Sequence, residues 1–165
     1  MKAVAKFEKV TYEQFNEDYK KIFMKDFDIK EYENLGLPKR ATKGSAGYDF
    51  FMPFDLSISP NNSIIIPTGI RCKIDDSYVL KIYPRSSLGF KYFMALANTV
   101  GIIDADYYNA KNQGHIMIKV TNRSEQSLLL KKENAFCQGI FLEYFITYDD
   151  ECETIRTGGI GSTSN

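Results

Sequence analysis

The stretch Ser63–Pro84, SIIIPTGIRCKIDDSYVLKIYP, holds three short runs of β-branched and aromatic residues. Pro67-Thr68-Gly69 and Asp75-Asp76-Ser77 interrupt them, and both triplets are turn chemistry rather than helix chemistry. No 3.6-residue apolar period survives across these 22 positions. The same texture continues on both sides, with LSI before it and FMALANTVGII, HIMIKV, SLLL and AFCQGIFLEYFI after it. Polar turn clusters separate these runs, and this spacing predicts an all-β sandwich or barrel. The 165 residues suit one domain with its own core, of which 44% are apolar.

Only the N-terminus departs from this pattern. Val4–Val10 alternates as a short strand, and Thr11-Tyr12-Glu13-Gln14 is a capping-box start for a helix running to about Phe23. Tyr12, Phe15, Tyr19, Ile22 and Phe23 fall on one face, its expected packing side. Residues 28–45 turn polar and bear Gly and Pro, which predicts an extended surface arm.

Charge and composition exclude several classes of function. With 21 basic and 21 acidic residues the chain has no net charge, so it lacks the broad positive field of a general nucleic-acid binder. No apolar run reaches the ~18 residues of a membrane helix, and the charged N-terminus does not resemble a signal peptide, so a cytoplasmic protein is expected. Cys72, Cys137 and Cys152 show no C-x-x-C spacing, and His115 is the sole histidine, which argues against zinc. His115 opens an apparent strand and is expected to be a surface or hairpin residue. Catalysis would fall to carboxylates, hydroxyls, arginines and a hard cation.

Five stretches could carry such chemistry. In SAGYDF, Asp49 is a lone carboxylate in an apolar strand start, and backbone amides could equally satisfy it. In PRSSLGF, Arg85, Ser86 and Ser87 place a fork-shaped cation beside consecutive N–H and hydroxyl donors, suited to phosphate or to an ordinary surface turn. In NTVGIIDADY, Asp104 and Asp106 share a face if the strand continues through them, or enter a loop if it does not. In FCQGIF, Gln138 is a neutral amide among large apolar residues. The chain closes on RTGGIGSTSN, residues 156–165, with almost nothing to bury.

The order of these five stretches resembles the motif series of the trimeric all-β dUTP pyrophosphatases, the dUTPases, over residues 38–165. That resemblance implies a jelly-roll-like β-barrel over residues 1–155 with a flexible C-terminal arm, 156–165. It implies Mg²⁺-dependent hydrolysis of dUTP to dUMP and pyrophosphate in a homotrimer whose subunits share their active sites, with neither nucleic acid nor membrane as partner.

Residue roles follow from the same resemblance. Asp49 would hold Mg²⁺ through water, and Arg85, Ser86, the Ser87 amide and Gln138 would grip phosphate oxygens. Asp104 would be the general base, with Asp106 anchoring Arg85. Tyr107 would lie on the deoxyribose, and Asn98, Ile103 and the hairpin running to Ile116 would read uracil. Arg156, Ile160, Gly161 and Ser162 would close over the nucleotide.

Departures from the family pattern lie at Ser87, where glycine is usual, and Ala135, where arginine is usual. The hairpin YYNAKNQGH is also longer, Ile160 replaces an aromatic, and Arg156 stands one residue nearer the paired glycines. The related dCTP deaminases resemble this chain less, because Lys119 stands where their glutamate belongs. A non-catalytic relative is the remaining alternative, disfavoured by the presence of both Asp104 and Tyr107.

Overall fold

A computed structural model describes residues 2–154, 156 and 158. β1 (Ala5–Lys9) leads into α1 (Tyr12–Phe23) and the short α2 (Ile29–Glu33). Six strands follow: β2 (Lys39–Arg40), β3 (Tyr48–Phe51), β4 (Leu56–Ile58), β5 (Ser63–Pro67), β6 (Ile70–Ile74) and β7 (Tyr78–Pro84). After α3 (Ser86–Tyr92) come β8 (Met94–Leu96), β9 (Gly101–Ile103) and a 3-10 turn (Ala105–Asn109). β10 (Met117–Asn122), β11 (Leu128–Leu130) and β12 (Ala135–Glu143) complete the order.

The three runs of Ser63–Pro84 are β5, β6 and β7, as their composition predicts. All strand pairs among the described residues are antiparallel, in sheets ordered β2-β3-β12-β7-β9, β5-β10-β8, β1-β6 and β11-β4. The expected jelly-roll-like β architecture is present, but its ladders do not close into one continuous barrel. β4, β8, β9 and β11 are each three residues long and pair on one side only, so the hydrogen-bonded ring breaks at them.

The sheets enclose Phe50, Met52, Ile66, Leu80, Ile82, Val120, Leu128 and Phe136, all essentially without solvent contact. Each such side chain contributes about 1.5–3 kcal/mol through burial. In β12, Gly139 lets the sheet pack closely, since a Cβ there would stand 2.7 Å from Leu80 Cδ1 and 3.0 Å from Phe50 Cε2. A second cluster joins α1 to the domain through Val10, Phe15, Tyr19, Phe27 and Phe54. Edge-to-face rings bind it, including Phe15–Phe27 at 4.9 Å and Tyr19–Phe54 at 5.2 Å.

Local details differ from the sequence expectations in three places. Residues 28–45 are not wholly extended, because the Asp28 side chain accepts from the amides of Lys30 and Glu31 and starts α2. Ser86–Tyr92 forms a helix rather than a turn, with Phe93 in the left-handed region ending it. Thr11 caps α1 by accepting from Gln14 N at 3.3 Å, but the reciprocal half of the box is absent. Gln113 Oε1, 102 residues away, takes the Thr11 amide instead at 2.9 Å.

Candidate active site

Strand register creates the first half of the site. Pairing of β12 with β3 and β7 sets Asp49, Gln138 and Tyr83 in one row across the sheet. Arg85 directly follows β7, and its amide donates to Phe136 O at 3.1 Å, which fixes the chain where it turns into α3. Arg85 Nε lies 3.6 Å from Asp49 Oδ1, so this aspartate is the partner of Arg85. The expected pairing of Asp106 with Arg85 does not occur within the chain, since β9 runs antiparallel to β7 and carries Asp106 past the end of β7 opposite to Arg85, where it pairs with Arg156.

Ser86 and Ser87 begin α3, where helical N–H groups have no acceptor one turn back. Ser87 is absent from the positive-φ positions, so a side chain fits where the family pattern has glycine. Asp49, Arg85 and Ser87 line one polar cavity of about 340 Å³ with Ala135. Gln138 Nε2 reaches Pro84 O at 3.5 Å. Gly47 makes room for it, because a Cβ there would stand 2.6 Å from Gln138 Oε1.

The second half forms where β9 ends. The strand does not continue through the two acids: Asp104 precedes the 3-10 turn and Asp106 lies within it. They converge nevertheless on Arg156, whose Nη2 donates to Asp104 Oδ2 at 2.5 Å and whose Nε donates to Asp106 Oδ1 at 2.9 Å. The guanidinium also lies over the Tyr107 ring, 5.7 Å from its centroid. Tyr107 is only 4% exposed. Its hydroxyl donates to His115 O and accepts from Asn112 Nδ2, both at 2.8 Å. Burial pushes this phenol above its ordinary pKa, although the Asn112 bond opposes the rise.

Beside these groups, Asn98, Ile103 and Ile116 line a mainly apolar cavity of about 360 Å³, together with Ile82, Leu96 and Lys119. Ile160, Gly161 and Ser162 fall outside the described residues. Burial raises both core thiols, Cys72 to about 12 and Cys137 in the same direction, so neither is a nucleophile at neutral pH.

His115 is not a surface residue. It is fully buried, with Nδ1 2.7 Å from Asp18 Oδ2 and Nε2 accepting from Gly69 N at 2.8 Å. An acceptor at Nε2 requires the neutral ring with its proton on Nδ1, donated to Asp18. Burial tends to raise the Asp18 pKa, but the bonds from His115 and Gln14 outweigh it and hold the carboxyl below the usual range. Nothing in the sequence marked Asp18 or Asn112, since each looks like an ordinary polar-face or loop residue.

The two halves do not meet within one chain. Asp49 is level with Tyr83 on β7, whereas Ile103 is level with Leu80 and lies three strands from β3. Spacings of about 4.8 Å per strand and 3.4 Å per residue then separate Asp49 from Asp104 by on the order of 20 Å.

Comparison with known proteins identifies the family. The dUTPase family profile matches residues 33–164. The chain belongs to the dUTPase family. The deoxyuridine 5'-triphosphate nucleotidohydrolase of Lactococcus lactis is 37% identical over 140 residues, 82% of this chain and 93% of that protein. Its Shigella sonnei counterpart is 35% identical over 150 residues, covering 86% and 96%. Among solved dUTPase structures, that from Streptococcus mutans has a TM-score of 0.67 at 34% identity, covering 86% of this chain and 97% of that one. A phage phi11 dUTPase of S. aureus, described with a structural Mg(II) ion, shares the fold at TM-score 0.61 and 19% identity, over 74% and 92%.

Proposed function

We propose that this dUTPase-family protein hydrolyses dUTP to dUMP and pyrophosphate, with Asp104 as the general base. The observation that carries this reading is the position of Asp104. It directly follows Ile103 of the nucleoside-sized cavity, and its carbonyl accepts from Tyr107 N at 3.2 Å. A water held by its carboxylate would attack the α phosphorus in line with departing pyrophosphate. Asp104 must first lose its bond to Arg156, whose guanidinium is then free for phosphate oxygens.

Each remaining residue acts by binding or orientation. Arg85 and the Ser86 and Ser87 donors hold the β and γ phosphates and stabilise charge on the leaving group, with Gln138 beside them. Tyr107 closes on the sugar, leaving no room for a 2′-hydroxyl. Asn98 and main-chain groups from Ile103 to Ile116 offer uracil fixed donors and acceptors that cytosine would leave unpaired.

A magnesium ion fits this donor set as cargo of the substrate rather than as an ion caged by protein. Among the described residues no three His, Cys, Asp or Glu side chains gather, whereas Asp49 is a carboxylate able to hold a hydrated ion through water. Bound there, Mg²⁺ would offset charge on the triphosphate.

The separation of the halves supports a homotrimer with shared sites. A single triphosphate with its α phosphorus at Asp104 cannot also reach Arg85 of the same chain. The arm 156–165 would then close a site assembled from several copies, with Ile160 against the base and Gly161 and Ser162 at the phosphates. Among the described residues no helix is long and apolar enough to cross a membrane.

Pyrophosphate release from dUTP, dCTP, dTTP and UTP, with and without Mg²⁺, tests the proposal. Turnover of dUTP should need the ion and exceed that of the others by ~10²-fold or more. Equal turnover of all four nucleotides, or ammonia released from dCTP, would refute it.

A further inference from the structure

α1 takes no part in the chemistry above, yet Asp18 on its side reaches the residue that adjoins the nucleoside cavity. We propose that His115, oriented by Asp18, is a positioning residue for the nucleoside half of the site. The pair sets the placement of Tyr107 and Ile116, and through them the preference for deoxyribose over ribose. This inference rests on the dUTPase reading of the site.

The geometry makes His115 a junction. Both ring nitrogens are committed, Nδ1–H to Asp18 and Nε2 to the Gly69 amide, so a ring flip would set a donor against a donor. With the ring locked, the main chain of His115 is locked too. Its amide donates to Asn112 O at 3.1 Å and its carbonyl accepts the Tyr107 hydroxyl. The next residue, Ile116, forms the cavity wall, and Thr68 Oγ1 and Ile70 O grip its main chain at 2.7 and 2.8 Å.

The segment needs such anchors. Between β9 and β10 it makes no strand ladder, and its fully buried apolar side chains are Tyr107, Ala110 and Ile116. Polar contacts therefore decide where it lies. Arg71 stacks on Tyr108 at 3.5 Å from the ring centroid, and Tyr108 donates to Glu8 at 2.5 Å, which fixes the outer side of the turn. The Asp18–His115 bond fixes the inner side, where Tyr107 points.

Exclusion of a 2′-hydroxyl depends on close approach, and a displacement of ~1 Å is enough to matter at such a contact. Loss of the Asp18 acceptor frees the ring of His115 and lets Tyr107 and Ile116 shift together. The effect belongs in nucleoside binding rather than in the water attack, because His115 holds Tyr107 at its side-chain hydroxyl, whereas Asp104 is bonded to the Tyr107 main chain.

Steady-state kinetics on dUTP and UTP with Asp18→Ala, Asp18→Asn and Phe54→Leu provide the test, well below each protein's melting temperature. Asp18→Ala should raise KM for dUTP about tenfold and lower the dUTP-over-UTP ratio by a similar factor, with kcat within about threefold. Asp18→Asn keeps an acceptor for Nδ1–H and should restore most of both parameters. Phe54→Leu loosens the packing of α1 without touching either partner, so it should lower thermal stability and leave KM and the ratio unchanged.

Wild-type-like KM and selectivity in Asp18→Ala would overturn the assignment. So would equal losses in Phe54→Leu, which would reduce the effect to general loosening. Failure of the wild type to hydrolyse dUTP would instead sink the functional reading, and the two outcomes are read from different proteins.

Discussion

At Asp104 an arginine occupies an oxygen that the proposed reaction would use. The Arg156 guanidinium bridges Asp104 and Asp106, so the same tail residue that would bind phosphate also keeps two neighbouring carboxylates from repelling each other. Asp104→Asn preserves the shape and removes the base. Its turnover should fall by ~10²- to 10⁴-fold, with dUTP binding, measured by calorimetry, changing much less. An active variant would transfer the role elsewhere, with Asp106 next in reach. Asp18 offers a second test at this scale, through pH. Its carboxyl is held below its ordinary value in the folded protein, so the charge contributes stability above the unfolded pKa of about 3.9 and loses it as pH falls through the folded value. The melting temperature of the wild type should exceed that of Asp18→Asn near neutrality, and the gap should narrow below about pH 4.

Among the elements, β12 is the strand on which the proposed phosphate half depends. It is the longest strand described, it pairs on both sides, and it carries Gln138 between Asp49 and Tyr83. The register holds only if β12 lies flat against the Leu80 and Phe50 side chains, which is why Gly139 sits at its centre. Gly139→Ala would drive a methyl group into both neighbours. Overpacking of this kind costs about 1–3 kcal/mol, visible as a lower urea midpoint, and the same shift should weaken dUTP binding through Gln138. α3 shows the opposite situation. Its short length and the turn residues around it hid it among loops, although PRSSLGF marked Arg85, Ser86 and Ser87, which stand together at its start.

At the scale of the whole molecule, the distance between the halves becomes a prediction about assembly. Arg85→Ala disables the phosphate half and Asp104→Asn the catalytic half, and each protein alone should be nearly inactive. Refolded together, they should regain a measurable fraction of wild-type turnover, because a site between two copies can take Asp104 from one and Arg85 from the other. Persistently inactive mixtures would show that each chain completes its own site.

What the sequence determined by itself was local in origin. Short β-branched runs between turn residues make strands whatever surrounds them, and an aromatic stripe of period 3.6 makes α1. The five ordered stretches named the family because their residue types and order are written along the chain. What only tertiary structure decided depends on contacts between distant residues. Asp18 and His115 are 97 positions apart, Thr11 and Gln113 are 102 apart, and Arg156 is 52 from Asp104. A lone histidine near the start of a strand looks exposed until a helix from the other end of the chain supplies its carboxylate. Whether ladders close into a barrel, and which acid holds Arg85, are likewise set by register and strand order. Those follow from how apolar faces fit together in three dimensions, a property that no single stretch of sequence carries.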